Sequence, residues 1–183
     1  GTLLDQALLL RATASMHGDL GHLDHAADLF DQAIAQCRQL RNSREMAICW
    51  FKRSWISHRR EQFDQAFTEL EQALAVFRRM DMPLHIALCE RNLGLAANKL
   101  GRLNQALQLT WRARGQFEDL GRRDAVADCD LNLGNVGYHA RLYDMAMVAY
   151  RRAQTTYAEL GMNYFALLSQ RNQGRVLWAQ NRA

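Results

Sequence analysis

Four cysteines and a group of histidines are the side chains in this sequence best suited to chemistry, as metal ligands or as nucleophiles. Cys49, Cys89 and Cys129 lie 40 residues apart, and Cys37 stands outside that series. The sequence contains no C-x-x-C pattern of the kind found in redox and zinc sites. Packed helices stand about 8–10 Å apart, beyond the roughly 7 Å reach of a disulfide, so we predict free core cysteines in a reducing compartment.

The histidines cluster near one predicted turn, where His17, His22 and His25 are accompanied by Asp19 and Asp24. Such side chains bind a metal ion when a fixed geometry makes them converge. Their spacing matches no zinc signature, so we interpret the group as a solvated turn. We predict no metal ion and no other cofactor.

Motifs of common catalytic sites are missing as well. Residues 94–101 superficially resemble a phosphate-binding loop, but they lack the second glycine before Lys99 and the Ser or Thr after it. Neither G-x-S-x-G nor H-E-x-x-H occurs. We therefore predict that the chain is not an enzyme.

An internal repeat of 40 residues organises the chain. Alanine recurs in two series, at Ala26, Ala66, Ala106 and Ala146 and at Ala33, Ala73, Ala113 and Ala153. A repeat of this kind builds one array in which each unit contacts its neighbours. We predict a single domain over 1–183, with units at about 3–40, 43–80, 84–120 and 124–160 and a terminal helix at 163–181.

The composition, 49% hydrophobic and 23% charged with one proline at Pro83, predicts a folded all-α protein. Each unit is predicted to hold two helices. The first helices, called A, cover about 3–19, 43–59, 84–100, 124–140 and 163–181. The second helices, called B, cover about 24–40, 64–80, 104–120 and 144–160.

Residue types at the ends of the B helices predict their caps. Short polar side chains that can accept from the first amides of a helix are expected as N-caps at Asp24, Asp64, Asn104 and Asp144. Gly121 and Gly161 follow the last apolar residue of a B helix, where we predict a left-handed C-terminal cap. Pro83 is predicted at the start of a helix, where its missing amide does no harm.

The two ends of the sequence suggest how the chain relates to a longer protein and to solvent. The chain begins at Gly1 rather than Met, and we expect it to be a segment of a longer protein. Ser169, Gln173 and Gln180 predict a polar outer face on the last A helix, whereas an apolar end would permit self-association through the terminal repeat. Apolar runs of only a few residues predict no membrane span and a cytoplasmic location.

The chain resembles the tetratricopeptide repeat family over nearly its whole length. Leu93-Gly94 and Leu133-Gly134 match the first-helix signature, and Ala146 and Ala153 match the second. The period of 40 rather than 34 is similar to the repeats of Pins/LGN-type scaffolds, MalT-like regulators and CHAT-associated proteins. The resemblance implies a right-handed α–α superhelix of about nine antiparallel helices whose A helices line a concave groove.

The concave positions of that family, carried over to this sequence, imply a set of partner-binding residues on the A helices. They are Lys52, Trp55, Arg59, Arg91, Asn92, Asn98, Lys99, Asn132, Asn135, Tyr138, His139, Arg171, Asn172 and Arg175. Carboxamides both donate and accept, so a ladder of them can pair with the main chain of an extended peptide. Arginine and lysine add charge-assisted bonds to carboxylates. The alternative is that the amides brace neighbouring helices and the cations form a solvated face.

These features predict a protein–protein interaction module that binds an extended or helical, acidic segment of a partner. One alternative is a sensor segment of a larger bacterial signalling protein that binds a small ligand. A second is nucleic-acid binding, suggested by the net charge of +4. That charge is modest and acidic residues are interspersed, so we do not expect nucleic acid as the partner.

Overall fold

The computed structural model describes residues 1–181, and every regular element in that range is an α-helix. The helices are α1 (Leu3–Asp19), α2 (Leu23–Gln39), α3 (Ser43–Arg59), α4 (Phe63–Arg79), α5 (Pro83–Lys99), α6 (Leu103–Asp119), α7 (Arg123–His139), α8 (Tyr143–Glu159) and α9 (Asn163–Gln180). Within the described range, the predicted all-α class and the nine helices are therefore confirmed. Pro83 is the first residue of α5, as predicted.

The helices divide into two compact units, residues 1–96 and 97–183, with the boundary inside α5. In the first unit α1 packs against α2, α2 against α3, and α3 against α4. In the second unit α6 packs against α7, α7 against α8, and α8 against α9. The single domain over 1–183 stays a prediction.

Small residues occupy the core where helices contact one another. Ala33 in the first unit and Ala153 in the second are completely buried. Large rings fill the remaining space, among them the fully buried Phe30, Tyr150 and Tyr157. Alternation of a single methyl group with an aromatic ring lets neighbouring backbones approach closely and still leaves few gaps.

The connections between helices share one backbone geometry. After α6, the amide of Gly121 donates to the carbonyl of Glu118 at 3.0 Å and the amide of Arg122 donates to that of Phe117 at 2.9 Å. This pair of bonds is a Schellman motif, and it requires a left-handed residue, here Gly121 with φ of 67°. The predicted caps at Gly121 and Gly161 are confirmed. Non-glycine residues adopt the same conformation at Arg41, Glu61, Asp81 and Arg141.

The predicted N-caps of the B helices are wrong by two positions. Asp24, Asp64, Asn104 and Asp144 are the second residues of their helices. The N-cap residues are His22, Gln62, Arg102 and Leu142, and none of them caps through its side chain. The left-handed residue of each turn already redirects the chain, so the next helix begins after a single further residue. The three aspartates still lie at the positive end of the helix dipole, where a carboxylate is favourable.

The predicted polar outer face of α9 is wrong for Ser169, although Gln180 is exposed as predicted. Ser169 is fully buried and its Oγ donates to the carbonyl of Phe165 at 2.9 Å. Gln173 donates to Gln154 at 2.7 Å. The exposed side of α9 carries apolar residues such as Leu167, which is 64% exposed. Positions equivalent to core positions of the preceding unit keep their inward direction whatever their polarity, and self-association through this end stays a prediction.

Two glycines one repeat apart provide a matched test of this packing. A Cβ at Gly134 would lie 2.4 Å from the ring of Tyr150, whereas a Cβ at Gly174 would meet no atom within 4 Å. We expect Gly134→Ala to lower the free energy of unfolding by about 2–3 kcal/mol through overpacking. Gly174→Ala should raise it by about 0.5–1 kcal/mol, because alanine is the better helix former. Urea denaturation measures both, and equal changes would contradict the packing described here.

The turns provide a second test. We expect Arg141→Gly to raise the free energy of unfolding by about 0.5–1 kcal/mol, because glycine adopts a positive φ without the steric cost that arginine incurs. Gly121→Ala should lower it by about 1 kcal/mol. No atom lies within 4 Å of a Cβ at Gly121, so this loss reports on the backbone alone. Thermal and urea denaturation measure the stability of both variants. An Arg141→Gly variant less stable than the wild type would contradict a left-handed backbone at Arg141.

Candidate functional site

Four of the predicted binding residues line one cavity in the first unit. Lys52 and Trp55 of α3 face Arg91 and Asn92 of α5 around a volume of about 310 Å³. Asp19 at the end of α1 closes another side. Nε of Arg91 donates to Oδ1 of Asn92 at 3.4 Å. The cavity therefore combines an aromatic surface with two cations and an amide, groups that suit a carboxylate-bearing chain.

Trp55 is held as the flat wall of this cavity. The guanidinium of Arg59 lies 4.9 Å from the centroid of the Trp55 ring, and its Nη1 donates to the carbonyl of Gly18 at 3.0 Å. A Cβ at Gly18 would lie 2.5 Å from the terminal methyl group of Ile56 and 3.0 Å from the ring of Trp55, so α1 and α3 approach closely here. Trp55 remains 42% exposed. An aromatic ring fixed by a cation and still open to solvent is a typical binding anchor.

A second cluster of predicted residues lies in the other unit. Nδ1 of His139 donates to Oδ1 of Asn98 at 2.9 Å, since an amide oxygen can only accept. The guanidinium of Arg175 lies 4.7 Å from the centroid of the Tyr138 ring. The pKa of His139 is lowered by burial and by the charges of Lys99 and Arg175. Desolvation and the two nearby positive charges thus both favour the neutral imidazole.

The predicted asparagines do not all remain available. Asn135 accepts a hydrogen bond from the hydroxyl of the buried Tyr150 at 2.8 Å, and Asn98 is 7% exposed and bonded to His139. Both amides brace neighbouring helices, as the alternative interpretation proposed for the polar positions. Asn172 is 5% exposed, yet its Oδ1 has no hydrogen-bond donor within the described residues. A buried acceptor without a donor costs free energy.

The two remaining predicted residues lie at the surface. Arg171 is exposed and Asn132 is partly exposed. The structure thus brings most of the predicted residues into two polar clusters, one in each unit. That arrangement is compatible with binding, and their role as partner-binding residues stays a prediction.

The cysteines are core residues, as predicted. Cys37, Cys49, Cys89 and Cys129 are all buried and free of disulfides. Burial raises the thiol pKa to about 12 for Cys49 and for Cys89. Thiols that stay protonated at neutral pH are poor nucleophiles and poor metal ligands.

The histidine cluster is compact. Nδ1 of His17 lies 3.3 Å from Nδ1 of His22, and the ring centroids of His17 and His25 are 4.4 Å apart. The pKa of His17 is lowered by desolvation and by the two neighbouring imidazoles. Over residues 1–181, no group of three or more His, Cys, Asp and Glu is arranged to hold a metal ion.

A larger cleft in the second unit was not predicted from the sequence. It encloses about 540 Å³ between α6, α7 and α8 and contains none of the predicted binding residues. Arg114 lines it and bonds Asp130 through Nε at 2.8 Å and through Nη2 at 3.4 Å. The available signal in the sequence was the pair Arg151-Arg152, which breaks the repeat pattern at one position.

None of the helices in the described part of the chain is both long enough and apolar enough to cross a bilayer.

Solved structures with the same fold span very different proteins. A Rap protein solved in complex with Competence and Sporulation Factor matches with a TM-score of 0.86 at 15% identity, over 100% of this chain and 51% of that one. A signal transduction ATPase with numerous domains and a tetratricopeptide repeat sensor, from Pyrococcus horikoshii, matches with a TM-score of 0.85 at 12% identity, over 94% and 27%. BtubC from P. vanneervenii matches with a TM-score of 0.72 at 18% identity, over 98% and 82%.

These likenesses show a tetratricopeptide-like helical repeat fold. The chain spans about half of the Rap protein and about a quarter of the ATPase. No family model matches the sequence, and no curated protein sequence is significantly similar to it. The narrower resemblance to Pins/LGN-type, MalT-like or CHAT-associated repeats stays a prediction.

The environment of His139 predicts a pH effect on stability. Its pKa in the folded state lies below the ordinary value, so the unfolded chain takes up the proton first as the pH falls. The stabilising contribution of neutral His139 is therefore complete above the unfolded pKa of about 6.5 and is lost as the pH falls through the lower folded value. We therefore expect the melting temperature to fall less for His139→Gln than for the wild type when the pH is lowered from 7.5 to 5.

The control for this prediction is His85→Gln, which removes another histidine of lowered pKa in the other unit. Its effect on the pH profile should add to that of His139→Gln, because the two titrations are independent. A His139→Gln profile parallel to that of the wild type would contradict the assignment.

Proposed function

We propose that the chain is a protein-interaction module that binds an extended or helical, acidic segment of a partner protein on its A helices. The observation that carries this proposal is the cavity where Lys52, Trp55, Arg91 and Asn92 converge. Its cations attract carboxylates, its amide pairs with a main chain, and its aromatic wall contributes apolar contact at low entropic cost.

The second unit supports the same chemistry. Lys99 and Arg175 place permanent positive charge beside His139, and Tyr138 offers a ring over which Arg175 is stacked. Further support comes from the Rap protein of the same fold, which was solved in complex with Competence and Sporulation Factor.

A test requires no knowledge of the natural partner. A library of displayed random dodecapeptides is selected against the immobilised chain, and enriched peptides are synthesised and titrated by fluorescence anisotropy. We expect acidic sequences to be enriched. Lys52→Ala/Arg91→Ala should weaken their binding by at least about tenfold, because each charged hydrogen bond contributes about 1.5–3 kcal/mol.

The matched control is Arg38→Ala/Arg79→Ala, which removes the same charge from exposed positions on α2 and α4 outside the cavity. Its affinity should stay within about twofold of the wild type, since exposed charges at a distance act weakly. Equal losses in both variants, or the enrichment of basic or uncharged peptides, would refute the proposal. Circular dichroism verifies that each variant is folded.

A second candidate function is a sensor segment of a larger signalling protein. The likeness to the ATPase that carries a tetratricopeptide repeat sensor favours it. In this case the cavity at Trp55 would hold a small ligand rather than a peptide. Selection would then yield no peptide, while a screen of small anionic metabolites would quench the fluorescence of Trp55 in the wild type but not in Trp55→Phe.

A further inference from the structure

The cleft between α6, α7 and α8 has an unusual concentration of arginine. Five arginines line it, against two acidic residues, Glu118 and Asp130. The arginines are Arg114, Arg122, Arg123, Arg151 and Arg152. The lining thus carries a net charge of +3 from five positive and two negative side chains, in a chain whose total is +4.

Three of these arginines are already engaged by the protein. Arg114 forms a two-point contact with the buried Asp130 and bonds Glu118 at 2.6 Å. Arg122 pairs with Asp124 and Arg123 pairs with Glu159, both acids outside the cleft. These pairs fix the positions of the guanidinium groups before any ligand arrives, which reduces the entropic cost of binding.

The other two arginines have no such partner. Arg151 and Arg152 are exposed neighbours on α8, and the described residues offer neither of them a hydrogen bond or an ion pair. Arg152 is close enough to the buried Asp130 to be attracted by its charge without bonding to it. Thr155 and Thr156 lie one turn further along α8 and belong to the lining of the same cleft. The α8 side of the cleft therefore carries two guanidinium groups without a hydrogen-bond or ion-pair partner in the described residues, together with two threonines.

The fold does not require these residues. At the places equivalent to Arg151, earlier units carry Asp31, Glu71 and Trp111. At the places equivalent to Thr155 they carry Ala35, Ala75 and Gly115. Arg152 stands where earlier units carry Gln32, Gln72 and Arg112. The arginine at position 151 and the hydroxyl at position 155 thus occur only in the unit that contains the cleft, and they add donors to it.

Another part of the cleft lining is apolar. Val126 of α7 is partly exposed there, whereas Phe117 of α6 is fully buried and lies beneath the surface. A volume of about 540 Å³ is in the range of clefts that bind small molecules of drug or cofactor size. The guanidinium and hydroxyl groups of the cleft thus suit a strongly anionic group of a ligand. Its apolar part suits a ring system.

We propose that this cleft is a binding site for a phosphate-bearing small molecule of nucleotide size. The phosphate oxygens accept from Arg151, Arg152 and the threonine hydroxyls, and the apolar part lies against Val126. Phosphate fits this donor set because its oxygens accept several charged hydrogen bonds at once, and guanidinium groups match its geometry. The site shares no residue with the peptide-binding residues proposed on the A helices, so the two proposals stand or fall separately.

The test is isothermal titration calorimetry of the full chain with ATP in magnesium-free buffer at low ionic strength. We expect ATP to bind, pyrophosphate to bind more weakly, and adenosine not to bind detectably. Arg151→Gln/Arg152→Gln should weaken ATP binding by at least about tenfold. Thr155→Val/Thr156→Val, which keeps side-chain shape, should weaken it by a smaller factor.

The matched control is Arg38→Gln/Arg79→Gln, which lowers the net charge by the same two units at exposed positions outside the cleft. It should bind ATP within about twofold of the wild type. The absence of heat from ATP at millimolar concentration would overturn the proposal, as would equal weakening by both double arginine variants. Citrate binding as tightly as ATP would overturn the assignment to phosphate, and a phosphoserine peptide binding more tightly than ATP would overturn the assignment to a small molecule.

Discussion

The helix contacts of both units depend on side chains small enough to let two backbones approach. Ala33 and Ala153 are completely buried, and Gly134 leaves room for the ring of Tyr150 where a methyl group could not fit. Because protein interiors are close-packed, an added methyl group at such a contact is not absorbed by local adjustment. The short left-handed turns also favour small side chains at these contacts. Because each connection has only three residues, it holds consecutive helices close together.

Two buried carboxylates of this packed interior are paired with arginines. Glu69 accepts from Arg53 and from the hydroxyl of Ser57, and Asp130 accepts from Arg114. Burial raises the carboxyl pKa of both acids, although the arginines act in the opposite direction. Such pairs recover little net stability once desolvation is included. We interpret them as groups that select the correct neighbouring helix, since an incorrect packing would leave a buried charge without its partner.

A repeat of this kind separates structure from function. Residues that pack against neighbours are restricted in size, whereas exposed positions vary freely, as Asp31, Glu71, Trp111 and Arg151 do at one place in the repeat. Binding chemistry is therefore added at the surface without disturbing the core. The two surfaces proposed here, with Trp55 on an A helix and with the arginines of α6 to α8, are two such additions.

The sequence by itself determined the helices, their period, the left-handed glycines and the buried cysteines, because helix propensity, periodicity and turn chemistry act over a few residues. It misplaced the N-caps and the direction of Ser169, since polarity does not reveal which side of a helix faces the core. Only the tertiary structure decided which side chains meet. Arg59 reaches Gly18 and His139 reaches Asn98 across 41 residues of sequence. Such contacts, like the arginine cleft, depend on the packing of whole helices, which no local pattern records.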